Sequence, residues 1–477
     1  MSPQRSAAAS GSTVSLTSPT TPHEGDRLTF HWTTDAPDPT NWIGIYDGTR
    51  QPGVGASLVW DYVTTAAGDL TLDAGGLTEG VYTAYLLAKD GYDILARTPA
   101  FTVTARPVIP RPHAVLDSFT TAAYTSGDAV SVPLAPLWIR PQGNPAGTPS
   151  FRRLASDSWL AVRQDGTVTG TAPRHPSAHP GRITVAVKDS AGGSDTVTVQ
   201  VPVGTAGARP RLTVASLNLW DAGSHIDDGH EKRLRLILGR GLDVVAVQES
   251  GGTSAKTLAD ALGWHAYDSP AGVGLVSRFP LSHASAPVPG VPAVAATLRL
   301  PDGQTVRLWA AQLDEAAYGP YALRDGRTPA QVEAAEPKTL RYRQASALLA
   351  AMRADLAART PVVLAAGLAS PSHLDGKGRN AVRWPVTVAL DKAGLTDAYR
   401  EAHPHAANDP GTTWSPVRPG EPQDRIDQLH FAGRLRVESA YTLCTGWPKA
   451  VPDTAGNGWP SDHAAPVVTF SLPSRHA

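Results

Sequence analysis

Short runs of alternating apolar and polar residues dominate the first 204 positions of the chain. Residues 27–32, 42–46 and 81–86 show this alternation, and Asp, Gly and Pro occur between such runs. Because successive side chains of a strand point to opposite faces of its sheet, the alternation predicts short antiparallel strands with one buried face. We therefore predict two all-β sandwich modules, one over residues 14–105 and one over residues 113–204.

The pattern changes after residue 211, where apolar strand-like runs alternate with helical segments. The stretch after Thr339 carries its apolar residues on one face at the helical spacing of about 3.6 residues. These residues are Leu340, Ala345, Leu348, Leu349, Met352 and Leu356. Pro361 ends this helix and precedes the next strand. Alternating strands and helices predict an α/β domain over residues 210–475.

Two segments rich in Pro and Gly separate the three predicted units. They lie near residues 105–112 and 204–211, and their composition is typical of linkers, so we expect the units to fold independently. The single cysteine, Cys444, excludes an internal disulfide and a cysteine-based zinc site. No apolar run reaches the ~18 residues of a membrane span. No export signal is visible at the start of the chain.

Charge is nearly balanced over the chain but not within its parts. The chain carries 42 Lys and Arg against 43 Asp and Glu, and residues 1–105 carry 5 basic and 11 acidic side chains, a net charge of −6. Residues 106–205 carry 9 basic and 6 acidic side chains, and the remainder carries 28 and 26. No part is basic enough to coat a long polyanion, so we do not expect a nuclease that acts on long nucleic acid.

The aromatic residues of the first module have two interpretations. The runs 41–46, 58–62, 80–82 and 90–92 resemble the SKICH-type β-sandwich that accompanies some inositol-phosphate phosphatases. We expect most of these aromatics to pack in the core or along strand edges, because large aromatic side chains are mostly buried. A ligand groove is the alternative interpretation.

The second module resembles the putative-immunoglobulin, cadherin-like repeats of exported bacterial proteins. Residues 159–173 and 183–192 carry the resemblance. It implies that the N-terminal units are immunoglobulin-like sandwiches, and it favours an extracellular role, with a cytoplasmic location as the alternative. We expect Asp189 to be a turn residue rather than a calcium ligand, because one carboxylate does not make a calcium site.

Polar residues end the apolar runs of the C-terminal unit in a regular order. Five runs lead to Asn218, Glu249, Gln312, Gly367 and Asp427, and Asp462-His463 precedes the last apolar run. Buried strands that lose apolar character at one end bring their polar residues to a common rim, where α/β proteins place active sites. The ordered set therefore predicts a functional site at this rim.

This ordered set resembles the endonuclease/exonuclease/phosphatase superfamily, which includes pancreatic-type deoxyribonucleases, neutral sphingomyelinases and inositol-polyphosphate phosphatases. The resemblance covers residues 212–473, and its segments are 274–280, 371–375, 413–414, 423–427 and 461–463. It implies a four-layered α/β sandwich and metal-assisted hydrolysis of a phosphoester.

The resemblance also implies roles for individual residues. Glu249 would be the principal carboxylate of an Mg²⁺ or Mn²⁺ site, with Asn218 beside it and Asp462 as a further ligand. His463 would hydrogen-bond the phosphate, and Asp427 would orient the imidazole of His463.

The family pattern breaks at the groups that activate water and protonate the leaving group. Where the family has Gly-Asp-x-Asn, residues 366–369 read Ala-Gly-Leu-Ala, so Gly367 replaces a carboxylate and Ala369 replaces an amide. The third run ends in Gln312 where many members have histidine, and glutamine has no titratable proton. Nearby side chains that could substitute are Asp314, Glu315, His373 and Asp375, of which Asp375 is the best placed in the sequence.

Losing both groups would lower the rate on the order of 10⁴–10⁶-fold. We therefore favour a pseudoenzyme that binds a metal ion weakly, together with a phosphorylated small molecule, a lipid headgroup or a nucleotide. Two alternatives stay open. One is an active Mg²⁺-dependent phosphodiesterase or phosphatase with a rewired site. The other is a surface adhesion protein whose β modules bind a protein or a glycan.

Overall fold

The structure is a computed structural model of the 477-residue chain. It describes residues 11–47, 50–74, 76–105, 112–140, 147–175, 177, 179–204, 210–358, 360–376, 381–444 and 459–473. Most of both predicted linkers, residues 106–111 and 205–209, lies outside the described residues, as do the last two residues of the predicted C-terminal unit. Within the described ranges, no helix is long and apolar enough to cross a membrane.

The first module consists of two antiparallel sheets that share one apolar core. Its strands are β1 (Thr13–Ser18), β2 (Leu28–Thr33), β3 (Trp42–Asp47), β4 (Val59–Tyr62), β5 (Ala67–Leu72), β6 (Gly80–Leu87), β7 (Ile94–Arg97) and β8 (Phe101–Val103). One sheet has the order β1-β2-β5, and the other has the order β4-β3-β6-β7 with β8 beside β6. Alternate residues of β2 are buried, and Phe30 lies in one core with Ile43 and Ile45 of β3.

The second module is also built from strands, and its strands form smaller sheets. They are β9 (His113–Ala114), β10 (Ser118–Thr120), β11 (Ala129–Pro133), β12 (Trp138–Ile139), β13 (Pro149–Ser156), β14 (Leu160–Val162), β15 (Thr167–Thr171), β16 (Gly181–Asp189) and β17 (Ser194–Val201). The sheet orders are β10-β17-β16-β13, β11-β15-β14 and β12-β9. Asp189 accepts hydrogen bonds from Trp138 Nε1 (2.8 Å), Arg140 Nε (3.0 Å) and the amide of Ala191 (2.8 Å). Its carboxylate therefore stabilises a turn.

The C-terminal unit contains two six-stranded sheets. Its strands are β18 (Arg211–Asn218), β19 (Val244–Gln248), β20 (His265–Asp268), β21 (Val273–Ser277), β22 (Leu281–Ser282), β23 (Ala293–Arg299), β24 (Thr305–Gln312), β25 (Val362–Gly367), β26 (Thr396–Asp397), β27 (Asp427–Ala432), β28 (Arg436–Leu443) and β29 (Ala465–Ser471). Its helices are α1 (Trp220–Gly223), α2 (Gly229–Gly239), α3 (Ser254–Leu262), α4 (Gly319–Arg324), α5 (Pro329–Ala335), α6 (Leu340–Ala357), α7 (Pro385–Lys392) and α8 (Ala398–Ala402). The sheet orders are β20-β21-β19-β18-β29-β28 and β22-β23-β24-β25-β27-β26.

These elements form four layers, with the two sheets inside and helices outside. On β18, Val214 lies in the core between the two sheets, whereas Leu217 lies in the core that includes α2 and α3. On the other side, α6 and α7 cover the second sheet through Leu348 and Leu390. Strands that are buried on both faces have continuous apolar sequences, which is why these runs were visible in the sequence.

Helix α6 begins where the sequence predicts, and one residue of its apolar face is placed differently. The side chain of Thr339 caps the helix by accepting the amide hydrogen of Tyr342. Leu340, which was expected on the buried face, is 44% exposed. Arg341 is fully buried in the first turn instead, because its guanidinium pairs with Glu336 (2.8 Å) and donates to backbone carbonyls.

The three units pack against one another. Phe119 of the second module lies in the same apolar cluster as Leu234 of α2. The first module meets the C-terminal unit at Arg240, whose Nη1 and Nη2 donate to the carbonyls of Leu58 (3.0 Å) and Gly76 (2.7 Å). Independent folding of the units stays a prediction, and this packing favours mutual stabilisation over it.

Candidate active-site pocket

The strand ends of the two sheets bring the expected site residues to one pocket. Asn218 is paired with Gln248 across the parallel strands β18 and β19, and Gly367 lies between Gln312 and Asp427 on the second sheet. A pocket of about 530 Å³ opens at these ends. Its lining includes all eight predicted positions, namely Asn218, Glu249, Gln312, Gly367, Ala369, Asp427, Asp462 and His463.

The carboxylate of Glu249 is held by three N–H donors. Asn218 Nδ2 (2.8 Å) and Gln312 Nε2 (3.1 Å) donate to Oε1, and the amide of Asp221 (2.9 Å) donates to Oε2. The two side-chain amides cannot be flipped without loss, because their oxygens accept backbone hydrogens. Trp220 donates to Asn218 Oδ1 (2.8 Å), and Glu249 itself donates to Gln312 Oε1 (3.3 Å). The amides therefore present hydrogens, not oxygens, to the carboxylate.

This arrangement does not fit a magnesium or manganese site. Mg²⁺ takes oxygen ligands. Here the side-chain oxygen of Asn218 accepts the amide hydrogen of Trp220, and N–H groups donate to the carboxylate of Glu249. Burial raises the pKa of Asp462, and the charge of Glu249 adds to that effect. In the part of the chain that the structure describes, no group of three His, Cys, Asp or Glu side chains could hold a metal ion. The expected metal site stays a prediction that the donor set does not favour.

His463 and Asp427 form a buried pair at the pocket wall. His463 Nδ1 lies 2.8 Å from Asp427 Oδ2, and Thr413 Oγ1 accepts the amide hydrogen of Asp427. Burial lowers the pKa of His463, but the charge and hydrogen bond of Asp427, with Asp462 and Glu249 nearby, raise it to about 9. With Nδ1 committed to Asp427, Nε2 is the ring nitrogen that remains to donate to a ligand.

Two of the three degenerate positions, Gly367 and Ala369, are structurally open to the missing side chains. A Cβ built on Gly367 would lie 3.5 Å from Asp427 Oδ1 and 3.9 Å from the Cγ atoms of Gln248 and Gln312, which are ordinary contacts. The backbone of Ala369 has a φ of 47°. Asn tolerates this left-handed region better than other non-glycine residues. The loop therefore keeps a conformation that suits the asparagine of the family pattern.

Two of the side chains that could substitute for the missing groups, Asp375 and His373, form contacts outside the pocket. Asp375 Oδ1 accepts from Arg400 Nε (2.6 Å) and Arg425 Nη2 (2.8 Å), so this carboxylate is part of a buried ion-pair cluster. His373 Nδ1 contacts Thr387 Oγ1 (3.1 Å). Of the four side chains named as substitutes, Glu315 lines the pocket and the others do not. Asp375 is therefore not placed to replace the catalytic carboxylate.

Aromatic walls and one arginine complete the pocket, and the sequence did not single out this arginine. The guanidinium of Arg418 lies over the ring of Trp414 (4.9 Å) and 3.6 Å from Asp462 Oδ2. Tyr318 donates its hydroxyl hydrogen to Asp424 (2.8 Å), and its pKa is raised by burial and by that carboxylate. Arg418 lies in an irregular loop, so neither strand nor helix periodicity pointed to it.

Comparisons with known proteins find similarities that each cover about half of this chain. No family model matches the chain. The uncharacterized protein F14F9.5 of Caenorhabditis elegans is 28% identical over 292 residues, which is 55% of this chain and 91% of that protein.

The solved structures that this chain resembles include the following three proteins. The endonuclease/exonuclease/phosphatase of Beutenbergia cavernae DSM 12333 is 17% identical, with a TM-score of 0.39, over 55% of this chain and 72% of its own. The family protein of Bacteroides thetaiotaomicron is 15% identical, with a TM-score of 0.38, over 56% and 99% of the two chains. ANGEL2, a 2',3'-cyclic phosphatase, is 13% identical, with a TM-score of 0.38, over 55% and 96%. All three proteins are at most 17% identical to this chain, so none of them assigns it a substrate.

Proposed function

We propose that the C-terminal unit is an endonuclease/exonuclease/phosphatase-like domain that binds a phosphate-bearing small molecule and does not hydrolyse it. The proposal rests on two features of the pocket, namely the hydrogen bonds made to the carboxylate of Glu249 and the missing side chain at Gly367. Three N–H donors form hydrogen bonds to the carboxylate of Glu249, and β25 ends at Gly367, which has no side chain.

Hydrolysis of a phosphoester needs a group that activates water and one that protonates the leaving oxygen. Each contributes about 10²–10⁴-fold. Gly367 and Ala369 have no proton to exchange, and Gln312 uses both ends of its amide on Glu249. Glu315 lines the pocket but belongs to the loop after β24, so it is not on the strand end that carries the family carboxylate.

Binding of an anion is supported by groups that the same pocket keeps. His463 is held by Asp427 with one ring nitrogen left for a ligand, and Arg418 adds a second cation beside Trp414. A cavity of about 530 Å³ accommodates a small molecule. Tyr318, Tyr321 and Trp414 provide aromatic walls for the body of the ligand.

The modules before this domain belong to the proposal as well. Two packed antiparallel sheets support a SKICH-like, immunoglobulin-like assignment for residues 14–105. The several small sheets of residues 113–204 support a cadherin-like repeat. An extracellular location follows from these module types and remains part of the proposal.

Calorimetry on the full chain tests the binding. We expect inorganic phosphate, glycerol phosphate or adenosine monophosphate to bind, and His463→Ala to weaken binding about tenfold or more, because a charge-assisted hydrogen bond is lost. His265→Ala is the matched control, since this exposed histidine lies on β20 and does not line the pocket. Equal affinity of wild type and His463→Ala would refute the assignment. Mg²⁺-dependent turnover by the wild type would favour the rewired enzyme instead.

A further inference from the structure

Exposed apolar side chains are concentrated on one part of the first module. Eight large hydrophobic side chains are exposed in the described residues, and five of them belong to this module. They are Val54, Trp60, Tyr62, Tyr92 and Ile94, and we call Trp60, Tyr62 and Tyr92 the aromatic patch, because ring contacts through Trp42 join them. Trp60 and Tyr92 are 50% and 55% exposed, so these two rings are not part of the core, and Trp60 lies on the edge strand β4. Large exposed apolar patches mark interaction sites.

The rings of the patch are held in place by one another. Trp42, which is buried, contacts the rings of Trp60 (5.7 Å) and Tyr92 (6.1 Å), and Trp60 contacts Tyr62 (5.2 Å). All three pairs are edge-to-face, and the hydroxyl of Tyr62 donates to Asp90 Oδ1 (2.6 Å). Because the rings are already held in place, binding of a partner costs less side-chain conformational entropy.

The patch lies beside the free edge of a sheet. Two of its rings, Trp60 and Tyr62, belong to β4, which ends the order β4-β3-β6-β7. Among the described residues, β4 pairs with β3 and with no strand on its other side. An extended peptide can add to the N–H and C=O groups of an edge strand as a further strand, although on β4 the amide of Tyr62 already donates to Asp61 Oδ1 (2.8 Å).

The charge of the module favours a basic peptide. The exposed carboxylate of Asp90 lies next to Tyr62, whose hydroxyl donates to it, and residues 1–105 carry 11 acidic against 5 basic side chains. Lys89 is the nearby base in the sequence, next to Asp90. Lysine and arginine side chains are attracted both to carboxylates and to the faces of tryptophan and tyrosine rings.

We propose that the first module binds an extended, basic protein segment, which adds to the edge of β4 and places Lys or Arg side chains against the aromatic patch. The partner is a protein, because the open strand edge supplies main-chain hydrogen bonds that match a peptide. This binding surface is separate from the phosphate pocket, and none of its residues lines that pocket.

Titration of the full chain with two model peptides tests the proposal. One peptide alternates lysine with threonine, and the other alternates glutamate with threonine. We expect the lysine peptide to bind, the glutamate peptide not to bind, and Trp60→Ala to weaken binding by about fivefold to thirtyfold. Leu154→Ala is the control, because Leu154 is an equally exposed hydrophobic residue of the second module.

Two further measurements keep the proposal falsifiable. Tyr92→Ser should weaken binding without changing the melting temperature, since Tyr92 is more than half exposed. A lysine peptide with N-methylated amides should lose affinity, because it cannot pair with β4. Failure of the lysine peptide to bind, equal binding of both peptides, or no effect of Trp60→Ala would overturn the proposal. Binding of a neutral oligosaccharide in place of the lysine peptide would also overturn it.

Discussion

Restoring the missing groups should convert the pocket into a hydrolase. The perturbation is the triple variant Gln312→His, Gly367→Asp and Ala369→Asn. It returns a proton-carrying imidazole, a carboxylate and an amide to the three positions that lack them. We expect Mg²⁺-dependent hydrolysis of an aryl phosphodiester to rise from background by on the order of 10⁴–10⁶-fold, less if the groups act as one unit.

The structure allows two of these substitutions at low cost. The Cβ of an aspartate at position 367 meets its neighbours at 3.5 Å or more, and the backbone there does not have a positive φ. Ala369 already has a φ of 47°, which suits asparagine. A carboxylate at 367 will repel Asp427, whose Oδ1 is buried and lacks a hydrogen-bond partner among the described residues. The carboxylate at position 367 would be the group that accepts the proton from water.

Gln312→His carries the largest structural cost. It removes the hydrogen bonds that Gln312 makes with the amide and the carboxylate of Glu249. Leaving such groups unpaired costs about 1–3 kcal/mol. The same loss removes one of the two N–H donors on Oε1 of Glu249 and leaves the one from Asn218, so the triple variant should also bind Mg²⁺ better than the wild type. Single restorations should gain much less than the triple variant, because water activation and leaving-group protonation act together.

The assay is the initial rate of p-nitrophenol release, with the melting temperature measured in parallel. Glu249→Ala in the triple background is the control and should abolish the gain. A triple variant that is folded, binds Mg²⁺ and is inert would refute the assignment of these positions. Robust Mg²⁺-dependent turnover by the unmodified protein, lost in Glu249→Ala, would refute the pseudoenzyme proposal.

Three further predictions follow from the contacts. Millimolar Mg²⁺ or Mn²⁺ should leave the wild-type melting temperature unchanged, because N–H donors occupy Glu249; an increase that Glu249→Ala removes would contradict this. Burial lowers the pKa of His463, but its pairing with Asp427, together with Asp462 and Glu249, raises the pKa from 6.5 to about 9 on folding. Protonated His463 therefore stabilises the fold by roughly 3 kcal/mol below about pH 6.5, and this is lost as the pH rises through about 9. The free energies of unfolding of the wild type and Asp427→Asn, measured in urea, should therefore converge at high pH. A difference between them that does not change with pH would be inconsistent with the pairing of His463 with Asp427. Arg240→Ala should destabilise the chain by about 2 kcal/mol or more, because two backbone carbonyls of the first module lose a charged donor; an unchanged denaturant midpoint would argue against the contact.

Local periodicity was enough to recognise the building blocks of the fold. Alternation placed β2 correctly, since the buried face of a strand repeats every two residues. Continuous apolar runs identified β18, β19 and β25, which are buried on both faces. The same runs ended at the polar residues that line one pocket, because neighbouring strands end at the same edge of a sheet.

The sequence by itself therefore determined the order of the elements, the position of the pocket and the absence of a usable acid or base at Gln312, Gly367 and Ala369. Only the tertiary structure decided how the remaining groups are used. The amide directions around Glu249, the place of Arg418 over Trp414 and the exposure of Trp60 all depend on contacts between residues far apart in the chain. Periodicity reports which face of an element is buried, but it does not report what packs against that face or which hydrogen a side-chain amide presents. Those properties are decided when the sheets and modules meet.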